Sequence, residues 1–254
     1  YGSFFSFSNG RSNNLAAQFT LGRNSISDPI YPTWGSNVEV SVKATMPYSL
    51  FRPADYYEDL SIEEQYKWVE YHKWKFKAEW YTPLSRSGGE NPRTLVLKMA
   101  AGVGLIGQYD RGVPLSPFER FYMGGVFLSG YTLDGREILN LRGYDDLSLT
   151  APNPQTGAPV AAKYTAELRY PISTNPNATI YTLAFLEGGS TWEDARAFNP
   201  FQVYRSAGVG LKIFLPMFGL LGLDYGWRMD DVGAVPGMSK GQFHFSMGMN
   251  MGEL

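Results

Sequence analysis

At 254 residues the chain has room for one large domain or two small ones, and the lack of any cysteine excludes disulfides and thiolate metal sites. A net charge of −2 without a basic block gives no electrostatic basis for binding nucleic acid. No stretch approaches the roughly 20 apolar residues of a membrane helix, while aromatics at 15% and 28 glycines suit a β-barrel.

The chain opens at Tyr1 in "YGSFFSFSN", with neither an initiator methionine nor the basic-then-apolar order of a signal peptide, and reads as part of something longer. Residues 3–8 look like the end of a strand and 15–26 like a whole one. In "SNVEVSVKATM", Val38, Val40, Val42 and Ala44 oppose Glu39, Ser41 and Lys43. The segment 47–71 carries a helix start, in which Ser61 and Glu64 make a capping box and Tyr66, Lys67 and Val69 follow in helical register.

The clearest alternation is "HKWKFKAEWYTPL", with Trp74, Phe76, Ala78 and Trp80 on one face and Lys73, Lys75, Lys77 and Glu79 on the other. The next strand, 94–108, contains "GVGLIG" from Gly102 to Gly107. Its letters match a dinucleotide-binding glycine motif, but it lies inside an alternating strand with no helix after it. The glycines are expected to relieve crowding where the strand bends.

After the gap 109–160, "KYTAELRYP" sets Tyr164, Ala166, Leu168 and Tyr170 against Lys163, Thr165, Glu167 and Arg169. Further strands are expected at 178–189, 203–215, 219–229 and 241–252. In the last two, Leu221, Leu223, Tyr225 and Trp227 oppose Gly222, Asp224 and Arg228, and Phe243, Phe245, Met247 and Met249 oppose His244, Ser246 and Asn250.

Length and connection pattern decide the class. These strands exceed the usual 5–6 residues of soluble sheets, and a tilted strand of about 9–11 residues spans a bilayer. Short connections ("SDPIYPTWG", "SRSGGENPR", "ISTNPNA", "PMFG") alternate with long ones at 47–71, 109–160, 190–202 and 230–240. Short turns at one end and long loops at the other predict an all-β transmembrane antiparallel barrel. A soluble sandwich or lipocalin-like barrel would alternate too, but with shorter strands and its apolar face inward.

Little in the chain suggests an enzyme. His72 and His244 are the only histidines, neither at zinc-ligand spacing nor beside a G-x-S-x-G nucleophile signature. No metal or cofactor is expected. The sequon Asn177-Ala178-Thr179 sits in a Pro-Asn connection and reads as a turn.

One stretch of the long gap stands out: "ILNLRGYDDLS", with Arg142-Gly143-Tyr144 followed by two acids. If the loop folds back into a barrel lumen, a buried Arg142 needs carboxylates, and Glu167 and Glu187 on the two following strands are candidates. A guanidinium fork has enough donors for both. The other reading leaves Arg142 solvated in a surface loop and Glu167 an unpaired lumen charge.

The succession "SPFERFYMGG", "LNLRGYDD", "YTAELRYPI", "AFLEGG" and "AGVGLKIFLPMFGLLGLDYG" resembles the family of the outer-membrane protein assembly factor BamA, the bacterial surface antigen family, most closely in its Bacteroidetes-like wording. The resemblance covers essentially the whole chain. It implies a C-terminal portion, about nine to ten strands, of a sixteen-stranded barrel, with the N-terminal strands and periplasmic domains absent from residues 1–254. It also implies that Leu141, Arg142, Gly143 and Tyr144 form the tip of the sixth extracellular loop, clamped in the lumen by Glu167 and Glu187.

Relatives in this family assemble and insert β-barrel proteins into the outer membrane of Gram-negative bacteria, without nucleotide or metal. A weak seam between first and last strands would template the incoming strand. Here the seam strand would carry Gly241, Phe243, Phe245 and Gly248, its glycines weakening packing where opening is needed. The implied partners are unfolded outer-membrane β-barrel proteins, periplasmic chaperones, accessory lipoproteins of an assembly complex, and outer-membrane lipid. The last strand ends "MGMNMGEL" rather than on the aromatic that commonly closes such barrels. The alternatives are a two-partner-secretion-type protein transporter of the same superfamily and a passive porin-like channel.

Overall fold

The computed structural model describes residues 11–53, 56–57, 60–86, 93–110, 112–113, 115–116, 118–125, 137–152, 154–232 and 240–248. The strand end expected at 3–8 and the part of the last strand expected beyond Gly248 lie outside the described residues. The strands are β1 Ala16–Asn24, β2 Gly35–Thr45, β3 His72–Arg86, β4 Thr94–Gly107, β5 Phe121–Gly124, β6 Glu137–Asn140, β7 Val160–Asn175, β8 Ala178–Trp192, β9 Tyr204–Leu215, β10 Gly219–Arg228 and β11 Gly241–Met247. Nine of them form one antiparallel sheet in the order β1-β2-β3-β4-β7-β8-β9-β10-β11, and among the described residues its ends β1 and β11 do not pair. The short β5 and β6 pair in parallel within the connection from β4 to β7.

Period-two alternation becomes two chemically opposite faces. Phe19, Leu21, Trp74, Trp80, Leu186, Val209 and Phe243 are large, apolar and exposed, whereas Lys73, Glu167, Arg169, Glu187, Lys212 and Asp224 are buried. Water would reverse this arrangement. A wall that turns hydrocarbon outward and ions inward suits a lipid surround, which separates the membrane barrel from the soluble alternatives.

Register follows local chemistry. It shifts between Pro83 and Ser85 against β4, and between Pro171 and Ser173 against β8, both near the short-turn end. Proline has no N–H for the ladder, so these bulges fall where the ladder cannot be completed.

The described residues of the segment 109–160 pack against the inner face. Phe121, Met123, Leu139, Leu141, Tyr144 and Leu149 cluster with Ala161 of β7. The "GVGLIG" glycines have a different reason from the expected bend, because β4 keeps continuous register with β3 through Gly107 and with β7 through Leu105. A Cβ on Gly104 would lie 2.4 Å from the Phe121 ring, and one on Gly107 would lie 2.4 Å from the His72 imidazole. Absent side chains here admit the inward loop and a neighbouring ring.

From the other end, the turn between β1 and β2 also folds in. The Tyr31 hydroxyl donates to the carbonyls of Thr94 (2.9 Å) and Arg169 (3.1 Å), beside Tyr81, Val96 and Tyr181. The helix expected after Ser61 is a single turn, α1 Ile62–Gln65. Beyond it the chain extends to seat Val69 and Tyr71 against Ile106, so burial overrides the helical register.

Leu186 is 57% exposed on the outer face. Leu186→Arg is expected to destabilise the protein by about 2–4 kcal/mol in urea titrations in liposomes, the cost of a cation near the bilayer midplane. An exposed site facing water would give no measurable change.

Candidate functional site

The loop tip is delivered by the β5–β6 pair. Leu141 continues from β6, donates its N–H to the Gly124 carbonyl (3.1 Å), and is fully buried in the apolar cluster. Gly143 then turns the chain at φ +90°, a conformation that suits glycine.

This turn aims Arg142 at the wall. Its Nη2 reaches Glu167 Oε1 and Glu187 Oε1, each at 2.7 Å, and its Nη1 reaches Asp224 Oδ1 at 3.3 Å. Its backbone N–H also donates to Glu187 Oε2 (2.9 Å), and the guanidinium lies 3.6 Å from the centroid of the Phe185 ring. Three carboxylates from β7, β8 and β10 thus converge on one planar cation, with an aromatic face beneath it.

Each acid has a second cation. Glu167 Oε2 accepts from Arg169 at 2.8 and 2.6 Å, Glu187 faces Lys163 at 3.5 Å, and Asp224 Oδ2 accepts from Lys212 at 2.5 Å. This sharing is what permits so many charges inside, since a buried carboxylate without a partner costs several kcal/mol.

Backbone contacts complete the grip. A Cβ on Gly226 would lie 2.6 Å from the Gly143 nitrogen, so β10 lets the loop backbone lie directly on it. The Gly143 N–H donates to His244 Nε2 of β11 at 2.8 Å, and the Gln242 side chain donates to Asp145. The Tyr144 hydroxyl donates to the Arg205 carbonyl at 2.6 Å; burial pushes its phenol up to about 12, so it remains a donor.

A second anchor holds the arms of the loop. Glu119 meets Lys43 (2.6 Å) and Lys73 (3.3 Å), and Glu137 meets Lys73 (2.6 Å) and Lys75 (2.9 Å). Burial raises the Glu119 carboxyl, but the Lys43 hydrogen bond and the Lys73 charge outweigh it and hold the group below the usual carboxylate range.

The structure therefore brings Leu141, Arg142, Gly143, Tyr144, Glu167 and Glu187 into one cluster. Sequence reasoning missed Asp224, Gly226, His244 and the Glu119–Glu137 anchor. The available signal was Asp224 itself, a single acid on the inward face of "LGLDYGW" between glycines, which needs a cation.

The residues expected at the seam lie on the edge strand β11 or just past it. Phe243 and Phe245 are exposed on the outer face of β11, while Gly241 makes room for the Tyr225 ring, where a Cβ would lie 2.4 Å from the hydroxyl. Gly248 falls outside β11, which ends at Met247, and has φ +126°. A Gly248→Val chain would be strained there, so the substitution is expected to lower stability as well as to disturb the edge.

Arg142→Ala takes from three buried acids the cation they share, leaving each with its second partner alone, and is expected to cost about 3–5 kcal/mol, seen as a lower temperature of heat unfolding in gels. Adding Glu187→Ala should cost little more, since its main partner is already gone. Adding Glu167→Ala should cost more, because Arg169 is then left without its carboxylate; equal behaviour of the two pairs would contradict this partition.

Among known proteins, the family model described as the Omp85 superfamily domain matches residues 5–251. No curated protein matches the chain. A crystal structure of BamA from Haemophilus ducreyi lacking POTRA domains 1-3 aligns with a TM-score of 0.59 at 19% identity, over 90% of this chain and 41% of that one. The chain thus spans less than half of that structure, and at this identity the likeness concerns the fold: a partial barrel wall of nine antiparallel strands. With the family match running almost end to end, the chain belongs to the Omp85 superfamily, a family of bacterial outer-membrane proteins of protein insertion and transport.

Proposed function

We propose that this chain is the C-terminal portion of an outer-membrane assembly factor that inserts β-barrel proteins, working through a weak barrel seam and without nucleotide, metal or an enzymatic step. The observation that carries the reading is the loop tip held against the inner wall by Arg142 and the carboxylates of Glu167, Glu187 and Asp224. Such a loop occupies the lumen, so the wall is suited to work at its edge rather than as a pore.

At that edge, where β11 is the last strand of the described sheet, its main chain can template an incoming strand by β-augmentation. The clients are unfolded outer-membrane β-barrel proteins, delivered by periplasmic chaperones and handled with accessory lipoproteins in the outer membrane. The role of the loop clamp is to keep the inner wall rigid while the edge changes partners.

Depletion of the intact protein in its own cells tests the reading. Outer-membrane levels of several unrelated barrel proteins are expected to fall together; loss of one secreted protein alone would assign the chain to a dedicated two-partner-secretion-type transporter instead. In planar bilayers the intact protein is expected to show small, erratic conductance, rising in Arg142→Ala as the loop is released. Large, stable conductance in the parent would indicate a porin-like channel.

A further inference from the structure

We propose that His244 is a positioning residue that locks the last strand β11 to the tip of the inward loop and releases it on protonation; the consequence for insertion rests on the function proposed above. The Gly143 N–H donates to His244 Nε2 at 2.8 Å. A peptide N–H has nothing to accept with, so Nε2 must carry its lone pair, and the imidazole holds its one proton on Nδ1. An imidazolium has no acceptor and cannot make this bond.

The neighbourhood makes the choice consequential. Asp224 stands directly across the β10–β11 ladder from His244, where it is already engaged by Lys212 at 2.5 Å and Arg142 at 3.3 Å. On the loop side His244 faces Arg142 and Asp146, with Glu187 of β8 behind Arg142. Protonation therefore removes an acceptor and adds a cation beside the Arg142 guanidinium.

The bond also spans elements that the ladder does not join. Among the described strands β11 pairs only with β10. The bond from Gly143, together with Gln242 donating to Asp145, ties β11 directly to the loop. The loop in turn is fixed to β7 and β8 through Arg142. With the His244 bond made, displacing β11 requires moving the loop tip; without it, the Gln242–Asp145 contact remains and the hold of the loop on β11 is weaker.

The test is hydrogen exchange at the Gly143 amide in the intact protein in liposomes, expressed relative to the intrinsic rate at each pH. Protection is expected to fall about five- to tenfold as the pH is lowered from about 8 to about 4, the worth of one buried hydrogen bond lost when the imidazole takes up its second proton. In His244→Gln the amide carbonyl keeps an acceptor with no proton to gain, so protection should stay high at both pH values; in His244→Leu it should be low at both. The same pH dependence in His244→Gln as in the parent, or unchanged protection in His244→Leu, would overturn the proposal.

Insertion of an unfolded barrel client by the same preparations is expected to rise with acidification in the parent and to be flat with pH in both variants. PH-independent insertion by the parent would overturn the link between this tie and the edge. No insertion by any preparation would count against the assembly function, while the exchange pattern would still decide the role of His244.

Discussion

A charged arginine enclosed by protein is tolerable only if its environment replaces the water it gave up, and the fold is arranged around that requirement at Arg142. The guanidinium receives three carboxylates, from Glu167, Glu187 and Asp224, and rests on Phe185. Because these residues come from β7, β8 and β10, the ion cluster fixes the relative placement of strands that the ladder alone would allow to twist. Because every acid is shared between two cations, a change at one contact alters the balance at its neighbours, which is why the cluster behaves as a unit.

The enclosure depends on glycine as much as on charge. Gly226 lets the Gly143 backbone lie against β10, and Gly104 makes space for the Phe121 ring on β4. Each glycine costs some conformational entropy on folding. In return the loop reaches the wall at van der Waals distance, so water is squeezed from around the ions and their attraction is strengthened.

The two ends of the inner face use different means. On the long-loop side, ion pairs from Arg142, Glu119 and Glu137 hold the segment 109–160. On the short-turn side, Tyr31 hydrogen-bonds to main-chain carbonyls within an aromatic cluster. The outer face is dominated instead by exposed Trp, Phe and Leu side chains, which match a hydrocarbon solvent. The division of labour between faces is what makes a lumen-filled barrel wall and an exposed strand edge compatible in one chain.

Much of this was legible from residue order. Period-two alternation in "HKWKFKAEW" and "KYTAELRYP" determined which side chains share a face, and strand length with loop asymmetry determined the membrane barrel, because both are properties of a few adjacent residues. Arg142, Glu167 and Glu187 stood out as partners on the condition that the loop folds back into the lumen, with a solvated Arg142 as the other reading. Only the tertiary structure decided that Asp224 completes the cluster, that His244 accepts from Gly143, that Glu119 and Glu137 meet the lysines of β2 and β3, and that Gly248 lies past the strand. Those outcomes depend on register between strands and on how deep the loop descends. Both are set by packing across the sheet over tens of residues, which alternation along a single strand does not encode.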